Sequence, residues 1–258
     1  MFGWFRKRRR AKLLSQSWPD GWSLHLNRNV RLSWHLSDRE MTALQQRVKV
    51  FVDEKHWEGC DGLTLNEEMK VTVAAQASLM LLGVDDYYFD NVSTILLYPR
   101  SFRRTGTSRF VQPTPGHRNG EAWQGGPIVL SWEDSLRGGR NEDDGQNVVI
   151  HEFAHALDGL DGEMGGNVVF DQPEHAERWE LVVQHEFETL VADRDHHRST
   201  LLDYYGATNL AEFFAVASET FFEQPHQMQT EHPELFQLLE LYYHVDPRAW
   251  QPRGRRRR

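Results

Sequence analysis

The stretch His151-Glu152-Phe153-Ala154-His155 constrains this chain more than any other. On a helix, the two imidazoles fall one turn apart on one face, where both can bind a single Zn²⁺, and Glu152 stands beside the open coordination position. From there it can deprotonate a water that the metal has acidified. The flanking Val148, Val149, Ile150, Ala154 and Leu157 make that helix apolar on nearly every side. Two histidines and a glutamate in such surroundings are costly without a partner, and a metal satisfies all three. A fold that buries this helix has to bring a third ligand to it.

Several carboxylates compete for that place. Asp161 lies at the third-ligand spacing of metzincins, but the glycine that pattern needs three residues after His155 is replaced by Asp158. Glu163, Glu174, Glu177 and Glu180 sit in a Gly-rich loop and on a polar helix face, and read as solvated. Glu212 heads the apolar run Leu210-Ala211-Glu212-Phe213-Phe214-Ala215, where a lone carboxylate is expensive unless bound to something positive. It also stands three residues after Asn209, as the second half of a capping box would. Spacing alone divides Glu212 evenly between ligand and cap. Glu219, on the same helical face, suits a carboxylate that orients a ligand histidine, and Asp158 could orient His155. Tyr204 and Tyr205 could donate to an oxyanion or simply pack under their loop; packing is the simpler reading. His117, His196 and His197 read as surface residues.

Composition narrows the class. Cys60 is the single cysteine, so no internal disulfide and no all-cysteine metal site can form, which points to a reducing, cytoplasmic setting. No run of eighteen apolar residues exists to span a membrane. The start lacks the apolar stretch of a secretory signal. The formal charge of −9 hides an asymmetry: residues 1–12 carry six Lys/Arg and residues 253–258 five Arg, leaving about −20 on the rest. Two basic ends on an acidic body could touch nucleic acid or anionic lipid. Solvated ends are the simpler expectation, because the body repels phosphate.

Ser37-Asp38-Arg39-Glu40 has the form of a capping box and predicts a helix through Glu58. Thr64 and Glu67 repeat that signature before a buried helix over Val71–Leu82, closed by Gly83. Ser93–Tyr98 and Pro127–Ser131 read as strands joined by a long loop from Pro99 to Gly126. Helices are expected over Asn147–Leu160, Asp171–Asp193, Asn209–Phe222 and Thr230–Tyr243. The fold class is α+β, predominantly α, with a small mixed sheet and helices before and after it in sequence. Residues 1–23 are expected to form a flexible basic segment. A single domain follows over 24–250 (helical part 37–83, sheet region 87–132, metal-site helices 147–243), then an arginine-rich tail over 251–258.

The combination His151-Glu152-Phe153-Ala154-His155-Ala156-Leu157-Asp158, then Asp203-Tyr204-Tyr205-Gly206-Ala207, then Ala211-Glu212-Phe213-Phe214-Ala215 resembles the bacterial Mlc titration factor A family of zinc metallopeptidases, similar in their catalytic domain to the toxin lethal factor. The resemblance runs from about Leu24 to Val245. It implies a zincin-like domain with one Zn²⁺ held by His151, His155 and Glu212, Glu152 as general base and Tyr205 as oxyanion stabiliser. It further implies aminopeptidase-type hydrolysis of peptides, and binding of the repressor Mlc to regulate sugar phosphotransferase genes; the chain itself is expected to be a monomer. Neither membrane nor nucleic acid is an expected partner. A competing expectation is a regulatory protein that sequesters a repressor, with structural zinc and incidental peptidase activity.

Overall fold

Ser37 opens the first long helix as its capping box predicts: its hydroxyl accepts from the Glu40 N–H, and the Glu40 carboxylate accepts from the Ser37 N–H at 2.8 Å. The computed structural model describes residues 2–100, 126–162, 165–170 and 172–251. Its elements are α1 (Phe2–Leu14), α2 (Trp22–Asn29), α3 (Asp38–Glu54), β1 (His56–Gly59), α4 (Glu67–Leu79), β2 (Thr94–Tyr98), β3 (Ile128–Ser131), α5 (Trp132–Arg140), α6 (Val148–Asp158), α7 (Pro173–Asp195), α8 (Leu210–Glu223), α9 (Pro225–Glu231) and α10 (Pro233–Tyr243). The predominantly α, α+β class is as expected from the sequence. No helix among the described residues is long and apolar enough to cross a membrane.

The sheet has the order β1-β2-β3 and is parallel throughout among the described residues, not mixed. Parallel pairing needs a crossover, and α4 supplies one between β1 and β2. The sequence reading missed β1 because it extended α3 through Glu58. Instead α3 stops at Glu54, and His56–Gly59 pair with Thr94–Leu97. Asn66, whose side chain accepts from the Met69 N–H at 3.0 Å, caps α4 in place of Thr64. The single helix expected over Thr230–Tyr243 is two, since the proline at 233 starts a new helix after His232. The long loop expected between Pro99 and Gly126 lies outside the described residues from 101 to 125, as does the arginine-rich tail from 252 onward.

The basic N-terminal segment, expected to stand apart, forms α1 and packs on α3. Arg10 is buried there, with its guanidinium on Glu54 at 2.6 and 2.8 Å and on Asp90. Composition alone cannot separate a solvated arginine run from one in which some members meet acids on the body.

The core runs beneath α6 and around α8. Phe153 meets Phe89 and Phe51 with ring centroids 4.6 and 5.5 Å away. Along α8, Phe213, Phe214, Phe221 and Phe222 are fully buried. Each ring stabilises the fold by about 1.5–3 kcal/mol through removal from water. The helix of the His-Glu-x-x-His motif thus lies between β3 on one side and α8 on another.

Candidate metal centre

Asn147 sets the start of α6. Its side-chain oxygen accepts from the N–H groups of Val149 and Ile150, both at 3.1 Å, which satisfies two donors that a helix start leaves open. From this cap, His151 and His155 follow one turn apart on the face turned to α8, with ring centroids 4.9 Å apart. Phe153 and Ala154 point into the core and are fully buried.

The facing helix carries Glu212, Glu219 and Glu223, spaced seven and four residues apart and therefore on one stripe of α8. Glu212 reaches both histidines, its Oε2 lying 3.0 Å from His151 Nε2 and 3.3 Å from His155 Nε2. Glu219 Oε1 lies 2.8 Å from the other ring nitrogen of His151, and its Oε2 accepts from the Asn147 N–H. Glu223 accepts from the Asn147 side chain and from the Gln146 N–H, each at 3.0 Å. One acidic stripe thus meets both histidines and fixes the helix start that presents them.

Asn209 does cap α8, accepting from the Glu212 N–H at 2.9 Å. Only half of a capping box forms, because the Glu212 side chain turns to the histidines. The backbone N–H of Glu212 is thus capped by Asn209 while its carboxylate reaches the two histidines.

Before α8, Asp203 accepts from the Tyr205 N–H at 2.9 Å and starts a tight 3-10 turn over Tyr204–Ala207. Gly206 lets this turn lie close to α7 and α8: a β-carbon there would stand 3.2 Å from Leu190 and 3.3 Å from Val216. The turn sends the Tyr205 hydroxyl to Glu212 Oε1, to which it donates at 3.1 Å. Tyr204 instead donates to the Arg198 carbonyl.

Burial opposes charge on His151, yet its hydrogen bonds to Glu212 and Glu219 raise its pKa to about 10. Burial also works against the Glu212 carboxylate, but the two histidines hold it well below the usual range. Burial pushes Glu152 and Glu219 up. Carboxylate charge is therefore focused on the point where the Nε2 atoms converge. One ligand atom from each of His151, His155 and Glu212 can be chosen so that all lie within 4.8 Å of one another. Two imidazoles, that of His151 neutral once an ion displaces its Nε2 proton, and a carboxylate are the donor set of a three-ligand divalent site, and the Glu219 contact leaves His151 Nε2 facing it. The residues fit a metal ion.

The other candidates are not brought in. Glu174, Glu177, Glu180, His196 and His197 are exposed. Glu163, His117 and the side chain of Asp161 lie outside the described residues. Asp158 is buried at the end of α6. Sequence reasoning missed Asn147, Asp203 and Glu223. The continuation of the acidic stripe four residues beyond Glu219, in an otherwise apolar helix, is the signal that marks Glu223.

A family model described as glucose-regulated metallo-peptidase M90 matches residues 4–244, starting within α1. An uncharacterized protein of Synechocystis is 33% identical over 244 residues, covering 93% of this chain and 89% of that one. Proteins called Mlc titration factor A are also similar. The one from Klebsiella pneumoniae (strain ATCC 700721 / MGH 78578) is 29% identical over 83% of each chain. The one from Serratia proteamaculans is 29% identical over 95% of this chain and 93% of its own.

Proposed function

The chain belongs to the glucose-regulated metallopeptidase M90 family, and from that premise we propose that it is a zinc-dependent peptidase with His151, His155 and Glu212 as ligands. One observation carries this: the three donors converge within 4.8 Å while Glu219 occupies the remaining nitrogen of His151. Zinc, when bound, supplies the charge that acidifies a water and polarises a carbonyl.

The chain's own groups do the rest. Glu152 takes the proton from the water as it attacks the peptide carbonyl and passes it to the leaving amine, a task suited to a carboxylate whose pKa burial has raised. Tyr205, turned from Glu212, donates to the carbonyl oxygen as it gains charge. Among the described residues β3 is an edge strand packed on α6, so an extended peptide can add to it through main-chain hydrogen bonds. Cleavage is of the aminopeptidase type in this proposal, in the cytoplasm. The name of the Klebsiella and Serratia relatives further suggests a repressor of the Mlc kind as a partner of this chain.

The test is metal content together with Glu152→Gln. About one zinc per chain after dialysis against metal-free buffer is expected. Glu152→Gln should keep that zinc and lose peptide hydrolysis. Near-zero zinc with no uptake on addition overturns the metal assignment. Full hydrolysis by Glu152→Gln overturns the role of Glu152. Repressor binding that survives the substitution while hydrolysis disappears would separate sequestration from catalysis.

A further inference from the structure

Helix α1 divides its cations between two faces. Arg6, Arg9 and Arg10 turn inward to Asp90, Asp53 and Glu54, with contacts of 3.3 Å for Arg6–Asp90, 2.8 Å for Arg9–Asp53 and 2.6 Å for Arg10–Glu54. Of these only Arg10 is buried, and it sets the helix on the body; its guanidinium also lies over Tyr88 at 4.3 Å. Lys7, Arg8 and Lys12 fall on the other face, exposed and without an ion-pair partner among the described residues.

Two large aromatic side chains share that outer surface. Trp4 is 61% exposed and Phe5 60%, edge to face with centroids 5.2 Å apart, and Arg8 lies over the Trp4 ring at 5.5 Å. Adjacent exposed aromatics at the start of a helix are costly in water unless something covers them. A solvated basic end needs no such rings, and a duplex phosphate backbone offers them no apolar surface. The boundary between headgroups and acyl chains accepts both kinds of group: Trp and Phe sink their rings there, while lysine and arginine meet the anionic headgroups.

We propose that the outer face of α1, made of Trp4, Phe5, Lys7, Arg8 and Lys12, docks the protein on an anionic phospholipid surface. Arg10, buried against Glu54 and Asp90, holds the helix on the body, so binding needs no refolding of the segment. Three cations and two rings make a reversible peripheral contact, not an anchor. Each cation near such a surface contributes about fivefold in partition.

The test is co-sedimentation of the full chain with vesicles of phosphatidylcholine alone and with 30% phosphatidylglycerol (about physiological in charge), at about 0.1 M salt. Binding is expected to the anionic vesicles only. Trp4→Ser/Phe5→Ser and Lys7→Glu/Arg8→Glu should each weaken it at least about tenfold, while Arg39→Glu, an exposed charge change on α3, should leave it unchanged. Circular dichroism checks that the variants stay folded. No binding of the wild type to anionic vesicles overturns the proposal, as does an equal loss with Arg39→Glu. It is also overturned if a fluorescent DNA duplex binds more tightly than the vesicles and Trp4→Ser/Phe5→Ser does not affect it, since the face would then serve nucleic acid.

Discussion

His151 Nδ1 and Glu219 Oε1 lie 2.8 Å apart with both side chains buried, so the orientation of one metal-facing imidazole is set by a residue on another helix, 68 positions away. With the Nδ1 proton held by Glu219, Nε2 is the ring atom turned to Glu212 and His155, where an ion can displace its proton. Glu219→Gln keeps the shape and removes the charge. Metal affinity should fall by about 10–100-fold, read by competition with a chromophoric chelator. Unchanged affinity would show that Glu219 only packs.

Tyr205 touches Glu212, so its role can be split from a structural one. If its hydroxyl stabilises the developing oxyanion, Tyr205→Phe lowers kcat by about a hundredfold with KM and metal affinity retained. A hydroxyl that merely holds Glu212 would lower metal affinity instead, and the oxyanion role would fail.

Phe153 lies on the face of α6 away from the histidines, against Phe51 and Phe89. Phe153→Ala should cost about 3–5 kcal/mol in urea unfolding. Excess zinc should recover part of that loss, because an ion that binds only the folded state stabilises it. A cost no larger than that of an exposed alanine substitution would place Phe153 outside the core.

Lys55 gives a pH signature away from the metal site. Burial lowers its pKa from 10.5 to about 8, and its ammonium donates to the Phe89 carbonyl at 2.7 Å. The folded value is the lower one, so between these limits the unfolded chain binds more protons and stability rises with pH. The contribution is fully present above 10.5 and lost as pH falls through about 8. Measured against Lys55→Met by urea unfolding, the wild type should gain about 3 kcal/mol across this window. A flat difference would mean that Lys55 is not desolvated.

The sequence by itself determined the His-Glu-x-x-His helix and the face its two histidines share, because a 3.6-residue period converts spacing directly into a shared face. The same logic made the Ser37 cap and the apolar run of α8 legible. Local spacing could not decide what crosses between elements. Whether Glu212 capped its own helix or reached α6 depended on how α8 packs, and packing gave its backbone to Asn209 and its carboxylate to the histidines. Glu223 and Asn147 pair only because two helices 76 residues apart meet. Strand β1 was hidden because four residues of mixed polarity become a strand only when Thr94–Leu97 offer their main chain. In α1, composition counted the arginines, and the positions of Asp53, Glu54 and Asp90 decided which turned inward and which were left facing out.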